Sequence, residues 1–155
     1  MLNLEHKIPP PVVGLACAAL AWWLTKALPA LILPLPQRLA LAVALLLGLG
    51  GLALELWGLI TFRRHRTTPN PMTPERASTV MQSGPYRLTR NPMYLGVALQ
   101  LLAWCLYLRS PLALLALAVF LAYITRFQIL PEERLLRQKF GSAYEDYLQR
   151  VRRWI

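Results

Sequence analysis

The sequence predicts an all-α, polytopic integral membrane protein with about four transmembrane helices and a cytoplasmic amphipathic helical tail. Three observations predict it. Of 155 residues, 56% are hydrophobic and 15% are charged, which is more apolar than a soluble domain of this length. The apolar residues gather into four runs of a length suited to a bilayer. The charge is lopsided, with 17 Lys plus Arg against 7 Asp plus Glu and a net charge of +10. The basic residues flank the apolar runs instead of forming a stripe on a soluble surface, which argues against a nucleic-acid partner.

The first run covers residues 11–28 and ends near Trp22, Trp23 and Lys26, the residue types of a membrane-interface belt. No convincing cleavage site follows it, so it reads as a span and not as a removable leader. A proline-rich turn, "PALILPLPQR", leads to the second run, residues 39–62. At 1.5 Å per residue this run crosses about 30 Å of hydrocarbon. The third run is 92–108 and the fourth 111–130, joined by the short hairpin "LRSP". All four are expected to be helices, because an open strand edge cannot be satisfied in lipid.

The polar segments set the orientation. Only Lys26, Arg38 and Arg109 fall in the two turns on one side; the loop 63–91 and the tail 131–155 hold most of the other basic residues. The positive-inside rule puts that loop, the tail and both termini in the cytoplasm. Within the loop, "TTPNPMTP" reads as irregular chain. In the tail, Leu135, Leu136, Phe140, Tyr144, Tyr147, Leu148 and Val151 recur at helical spacing, with a break expected near Gly141. The chain 1–155 is expected to be a single membrane domain.

Three places carry candidate chemistry. The first is "SGPYRLTRNPMYLG", residues 83–96. Gly84-Pro85 signals a turn. Asn91-Pro92 signals a helix start, with Asn91 as N-cap and Pro92 in the first turn. Arg90 beside that helix N-terminus suits an anion, although caps and topology-setting arginines would read the same way. The second is Arg126 with Glu132 and Glu133. Arg126 and Glu133 are seven residues apart, on one face of a continuous helix, with Pro131 able to bend the chain between them. The third is Glu55, an acid deep inside an apolar run. Gly51 and Gly58 flank it by about one turn and allow a neighbouring helix to approach. It is expected either to meet an arginine from another helix or to face a polar cavity. His6 and His65 lie in basic flanks and read as solvated. Cys17 and Cys105 sit in apolar runs with no metal-ligand or CxxC spacing, so they read as buried small hydrophobes and no metal site is expected.

Taken together, "GPYRLTRNPMYLG", a helical hairpin and "PEERLLRQKFGSAYEDYLQRVRRWI" resemble the isoprenylcysteine carboxyl methyltransferase and phospholipid methyltransferase superfamily, as a short bacterial-type member. The family pattern falls on Gly84, Tyr86, Arg90, Asn91, Pro92, Tyr94 and Gly96. It continues on Glu132, Glu133, Leu136, Phe140, Gly141, Tyr144 and Tyr147. The resemblance covers roughly the last 90 residues. Two positions depart from it: Asn91 and Ser78 stand where the family usually has histidine.

The resemblance implies a membrane-embedded S-adenosylmethionine-dependent methyltransferase in a bacterial or archaeal plasma membrane. The implied cofactor-binding residues are Gly84, Tyr86, Arg90, Asn91, Tyr94, Gly96, Glu132, Glu133, Tyr144 and Tyr147. The implied catalytic residues are Arg90, Arg126 and Glu133. Phe140 is implied to help cover the cofactor. The implied partners are membrane lipid and a small or lipophilic methyl acceptor entering sideways from the bilayer. Two other readings are carried beside it. One is a nicotinamide-dependent reductase on a related scaffold, against which the short chain argues. The other is a non-enzymatic membrane adaptor whose basic tail holds anionic lipid or a partner.

Overall fold

The computed structural model describes residues 5–65 and 79–155. The loop stretch 67–74 and Ser78, singled out above, lie outside the described residues. Every regular element within them is helical: α1 Pro10–Ala27, α2 Gln37–Arg64, α3 Pro92–Leu108, α4 Ala113–Ile124, α5 Leu130–Phe140 and α6 Ser142–Arg150. Short 3₁₀ turns stand at Pro29–Leu31 and Gly84–Arg87, and a π turn at Thr125–Ile129 joins α4 to α5. The four apolar runs thus all become helices, within two residues of their expected starts. Two of the resulting helices, Gln37–Arg64 and the continuous stretch Ala113–Phe140, are long and apolar enough to cross a membrane. α3, at 17 residues, is shorter.

α2 shows why an apolar solvent suits this fold. Leu45, Leu46, Leu49, Leu52 and Leu56 are all exposed, Leu46 to 73%. In water such a surface would be an association hazard, whereas against acyl chains it costs nothing. The face of α2 turned inward is made of small residues. A Cβ on Gly51 would stand 2.6 Å from the Gly96 carbonyl oxygen, and one on Gly58 would stand 3.0 Å from the Met93 side chain. α2 and α3 therefore touch backbone to backbone, the close approach that small residues permit in apolar surroundings.

α1 lies against α3 and α4. Val13, Cys17 and Ala21 meet Ala98, Leu101, Cys105, Ala113, Ala116, Phe120 and Ile124 in one core. The Trp104 indole N–H donates to the Ala18 carbonyl at 3.0 Å. This gives the buried indole nitrogen a partner and pins α1 to α3.

The fourth run does not end at Pro131. Proline has no N–H, and its ring crowds the carbonyl four residues back, here Phe127. The chain widens into the π turn and continues as α5. The freed carbonyls are taken by the N-terminal segment: the His6 N–H donates to Phe127 O at 3.1 Å, and the His6 ring nitrogen lies 3.3 Å from Gln128 O. The fully buried Gln128 side chain returns a bond from its amide to Ile8 O at 2.8 Å. His6 is therefore not a solvated flank residue, as its basic neighbourhood suggested. It satisfies backbone that Pro131 leaves open. His65 is exposed, as expected, and bonds Thr61 O and Ser83 Oγ.

The π turn also corrects the Arg126–Glu133 pairing. The extra residue rotates Arg126 away from Glu133. Its side chain is 59% exposed and meets Glu5 at 3.5 Å, while Arg134 meets the other Glu5 oxygen at 2.7 Å. These bonds hold the Glu5 carboxyl below the usual carboxylate range, the Arg134 hydrogen bond contributing most. The tail breaks where expected. Gly141 takes φ +52°, ψ −129° between α5 and α6, a backbone region that side-chain-bearing residues avoid.

Candidate active site

The two sequence motifs meet at one end of the bundle. The start of α3 brings Arg90, Asn91 and Tyr94. The 3₁₀ turn before it brings Tyr86. α5 brings Glu132, Glu133 and Leu136, and α6 brings Tyr144 and Tyr147. These residues line a cavity of about 240 Å³. Much of its remaining wall is apolar, from Pro10 and Pro11 of α1, Phe62 of α2, and Met93 and Val97 of α3, with Glu55 among them and Thr79 to Met81 and Ile129 completing it.

At its polar end lies an ion cluster. Glu133 is 3% exposed and is held by two guanidiniums. Arg90 Nη1 donates to its Oε1 at 3.0 Å. Arg153 grips it with two bonds, Nε to Oε1 at 3.0 Å and Nη2 to Oε2 at 2.9 Å. This fork is the strong geometry for an arginine–carboxylate pair, and it raises the Arg153 pKa, chiefly through the hydrogen bonds. Two positive groups share one negative one, so the cluster keeps about one positive charge beside the cavity. Arg90 Nε is buried and, among the described residues, has no hydrogen-bond partner.

Glu132 is placed differently. Among the described residues it makes no ion pair. The Tyr94 hydroxyl donates to its Oε2 at a long 3.4 Å. Burial raises its pKa to about 7, and it is the carboxyl of this end with hydrogen-bonding capacity to spare.

The tyrosines wall the cavity as neutral donors. The Tyr147 hydroxyl donates to Tyr86 O at 2.8 Å, tying α6 over the 3₁₀ turn. The Tyr144 and Tyr147 rings lie 6.0 Å apart. Burial raises the pKa of Tyr86, Tyr144 and Tyr147. The nearby carboxylate of Glu132 adds to the shift at Tyr86, and those of Glu133 and Glu132 add to it at Tyr144. All three phenols therefore stay protonated at neutral pH.

Asn91 stands at the N-cap position of α3, but its side chain does not cap. The Asn91 N–H is taken by Thr89 Oγ1 at 3.2 Å. The side-chain amide instead donates to Arg153 O at 2.9 Å, and Thr89 Oγ1 donates to the same carbonyl at 3.2 Å. The Arg90 N–H donates to Arg152 O at 3.0 Å. The residues after α6 are thus stitched across the start of α3, and Trp154 packs on the core. What this position supplies is a hydrogen-bond donor. A neutral histidine could supply one too, so titration is not required for this role. Asn91→Ala should loosen the chain after α6 and hasten its cleavage in limited proteolysis. Asn91→His should leave the cleavage rate near that of the wild type.

Several implied residues lie elsewhere. Arg126 faces Glu5, outside the cavity. Gly84 and Gly96 do not line it. Gly84 takes φ +57°, and a Cβ there would stand 2.7 Å from Thr61 Oγ1, so it seats the 3₁₀ turn on α2. Gly96 makes room for α2. Phe140 is also outside the lining, near Lys139. Arg153 was missed by sequence reasoning. It follows the last motif tyrosine by six residues in "RVRRWI", and nothing in that basic run distinguishes it from its neighbours.

Comparison with known proteins shows the family. The model of the phospholipid methyltransferase family matches residues 39–143, which contain α3 to α5, all of α2 but its first two residues, and most of the cavity wall. An uncharacterized protein of Haemophilus influenzae is 49% identical over 63 residues, which are 41% of this chain and all of that protein. Probable protein-S-isoprenylcysteine O-methyltransferases of Oryza sativa, subspecies indica and japonica, are each 38% identical over 68 residues, 44% of this chain. The matched region spans only 36% of those two plant proteins. No solved structure matches. With the family match covering two thirds of the chain and both motifs gathered on one cavity, the protein belongs to the phospholipid methyltransferase family.

Proposed function

We propose that the protein is a membrane-embedded, S-adenosylmethionine-dependent methyltransferase, acting on a small or lipophilic acceptor at the cytoplasmic face. The observation that carries this reading is the cavity's polar end, where a cluster with surplus positive charge stands beside an uncommitted carboxylate. All four long helices cross the bilayer in this reading, with both termini in the cytoplasm. The apolar wall of Pro10, Pro11, Phe62, Met93 and Val97 then adjoins the acyl region, where a membrane-dissolved acceptor arrives.

The residues suit the cofactor. Arg90, with its unpartnered Nε, is placed to take the cofactor's carboxylate. Glu132 is placed to accept from its amino group or ribose hydroxyls. Tyr86, Tyr144 and Tyr147 offer aromatic faces to a cation. When bound, S-adenosylmethionine supplies an electrophilic methyl group on a sulfonium. The chain's own contribution is alignment and exclusion of water. Glu133 holds Arg90 and Arg153 in place. Asn91 and Thr89 keep the segment after α6 closed over them, and Tyr147 secures α6.

Glu132→Ala should weaken S-adenosylmethionine binding at least about tenfold, or about 1.4 kcal/mol, and reduce methyl transfer accordingly. The test is transfer of labelled methyl from the cofactor into a membrane lipid extract by the purified protein. Cofactor-dependent labelling that falls with Glu132→Ala supports the reading. No labelling of any fraction, with salt-sensitive binding to anionic vesicles as the sole activity, favours the adaptor instead.

A further inference from the structure

The polar end of the cavity is occupied by groups with evident work. The cavity wall also holds one that is not explained. Glu55 stands inside α2, between Leu54 and Leu56. Among the described residues no cation pairs with it. Its Oε1 accepts one hydrogen bond, from the Gln100 amide at 2.9 Å, and it lines the cavity beside the apolar side chains of α2 and α3. An acid in such surroundings is expensive unless it meets a partner, water or ligand. One neutral amide is a weak partner for it.

The backbone is arranged to seat this carboxylate. A Cβ on Gly96 would collide with Glu55 Cγ and would lie 2.9 Å from Glu55 Oε1. The motif glycine therefore leaves the space that the Glu55 side chain fills. Gly51, one turn earlier on α2, brings the two helices close enough for it to do so.

We infer that Glu55 reads the polar end of the acceptor as it binds: it selects a lipophilic molecule whose polar end is cationic or donates hydrogen, and rejects one that ends in a carboxylate. A cationic head meets an opposite charge in a low-dielectric wall. A carboxylate there would face a like charge, and among the described residues no guanidinium pairs with Glu55, because Arg90 and Arg153 are both engaged with Glu133. Part of this inference rests on the function proposed above, which makes the apolar end an acceptor site.

The test titrates dodecylammonium and dodecanoate into the full-length protein in a neutral detergent at pH 7. Heats of partition into protein-free micelles are subtracted. Wild type, Glu55→Gln and Glu55→Asp are compared. Glutamine keeps an acceptor for Gln100 but removes the charge, whereas aspartate keeps the charge on a shorter arm. The expected result is saturable binding of dodecylammonium by wild type, at least tenfold tighter than dodecanoate. The preference should vanish in Glu55→Gln and keep its sign in Glu55→Asp. A purely structural Glu55–Gln100 clamp would not move this preference. Equal binding of the two probes by wild type, an unchanged preference in Glu55→Gln, or no saturable dodecylammonium binding by folded wild type overturns the inference. S-adenosylmethionine binding is measured on the same samples. Cofactor binding without a Glu55-dependent preference removes the Glu55 inference alone. A Glu55-dependent preference without cofactor binding removes the methyltransferase reading and leaves the selective site standing.

Discussion

Glu133→Ala is expected to lower stability by about 3 kcal/mol and to abolish cofactor binding. Glu133 is 3% exposed, and Arg90 is 13% exposed. Removing the shared carboxylate leaves a buried guanidinium without its counter-charge, the situation in which breaking a buried pair is most damaging. Arg153 is 34% exposed and can turn to water, so the lower end of the usual range applies. The loss should spread, because Arg153 belongs to the segment bonded by Asn91, Thr89 and Arg90. Glu133→Gln should be milder, since it can still accept from one guanidinium. Thermal unfolding in detergent checks the order, with Glu133→Ala below Glu133→Gln and both below wild type.

Gly96→Ala is expected to be the second large effect, through a different mechanism. A Cβ at this position would stand 2.6 Å from the Gly51 carbonyl oxygen and against the Glu55 side chain. Backbone cannot give way there without parting α2 from α3. Forcing a methyl group into a filled site typically costs about 1–3 kcal/mol. The functional loss should exceed what stability explains, because displacing Glu55 reshapes the cavity wall. Unfolding and methyl-transfer assays on the same preparation separate the two. Gly50→Ala is the control: a Cβ there meets nothing within 4 Å, and helix propensity favours alanine.

The helices were legible because their causes are local. Apolar runs, Asn91-Pro92 and Gly141 each act within a few residues, so α3 starts where proline suits a first turn and the tail breaks at a left-handed glycine. That a helix comes close to α2 was also legible, since Gly51 and Gly58 flank Glu55 on the sequence itself, but not that this helix is α3. What escaped depends on distant partners. Pro131 announced a bend but not its outcome, because the widened turn is completed by His6, more than 120 residues away. That turn is what swings Arg126 to Glu5. Arg153 reaches Glu133 only because α6 folds back over the start of α3. The Asn91 side chain could satisfy a cap equally well, and only the docked chain after α6 draws it elsewhere. Gly84 and Gly96 were readable as motif positions, but their work is to admit neighbouring side chains.

The gathered motifs are proposed to form a site for S-adenosylmethionine. Titration calorimetry of the folded, detergent-solubilised wild type with S-adenosylmethionine, and separately with NADPH, tests it most directly. The expected result is saturable one-site binding of S-adenosylmethionine, weakened at least about tenfold by Glu132→Ala, and no saturable binding of NADPH. Saturable NADPH binding, or a folded protein with no measurable affinity for S-adenosylmethionine, would contradict it.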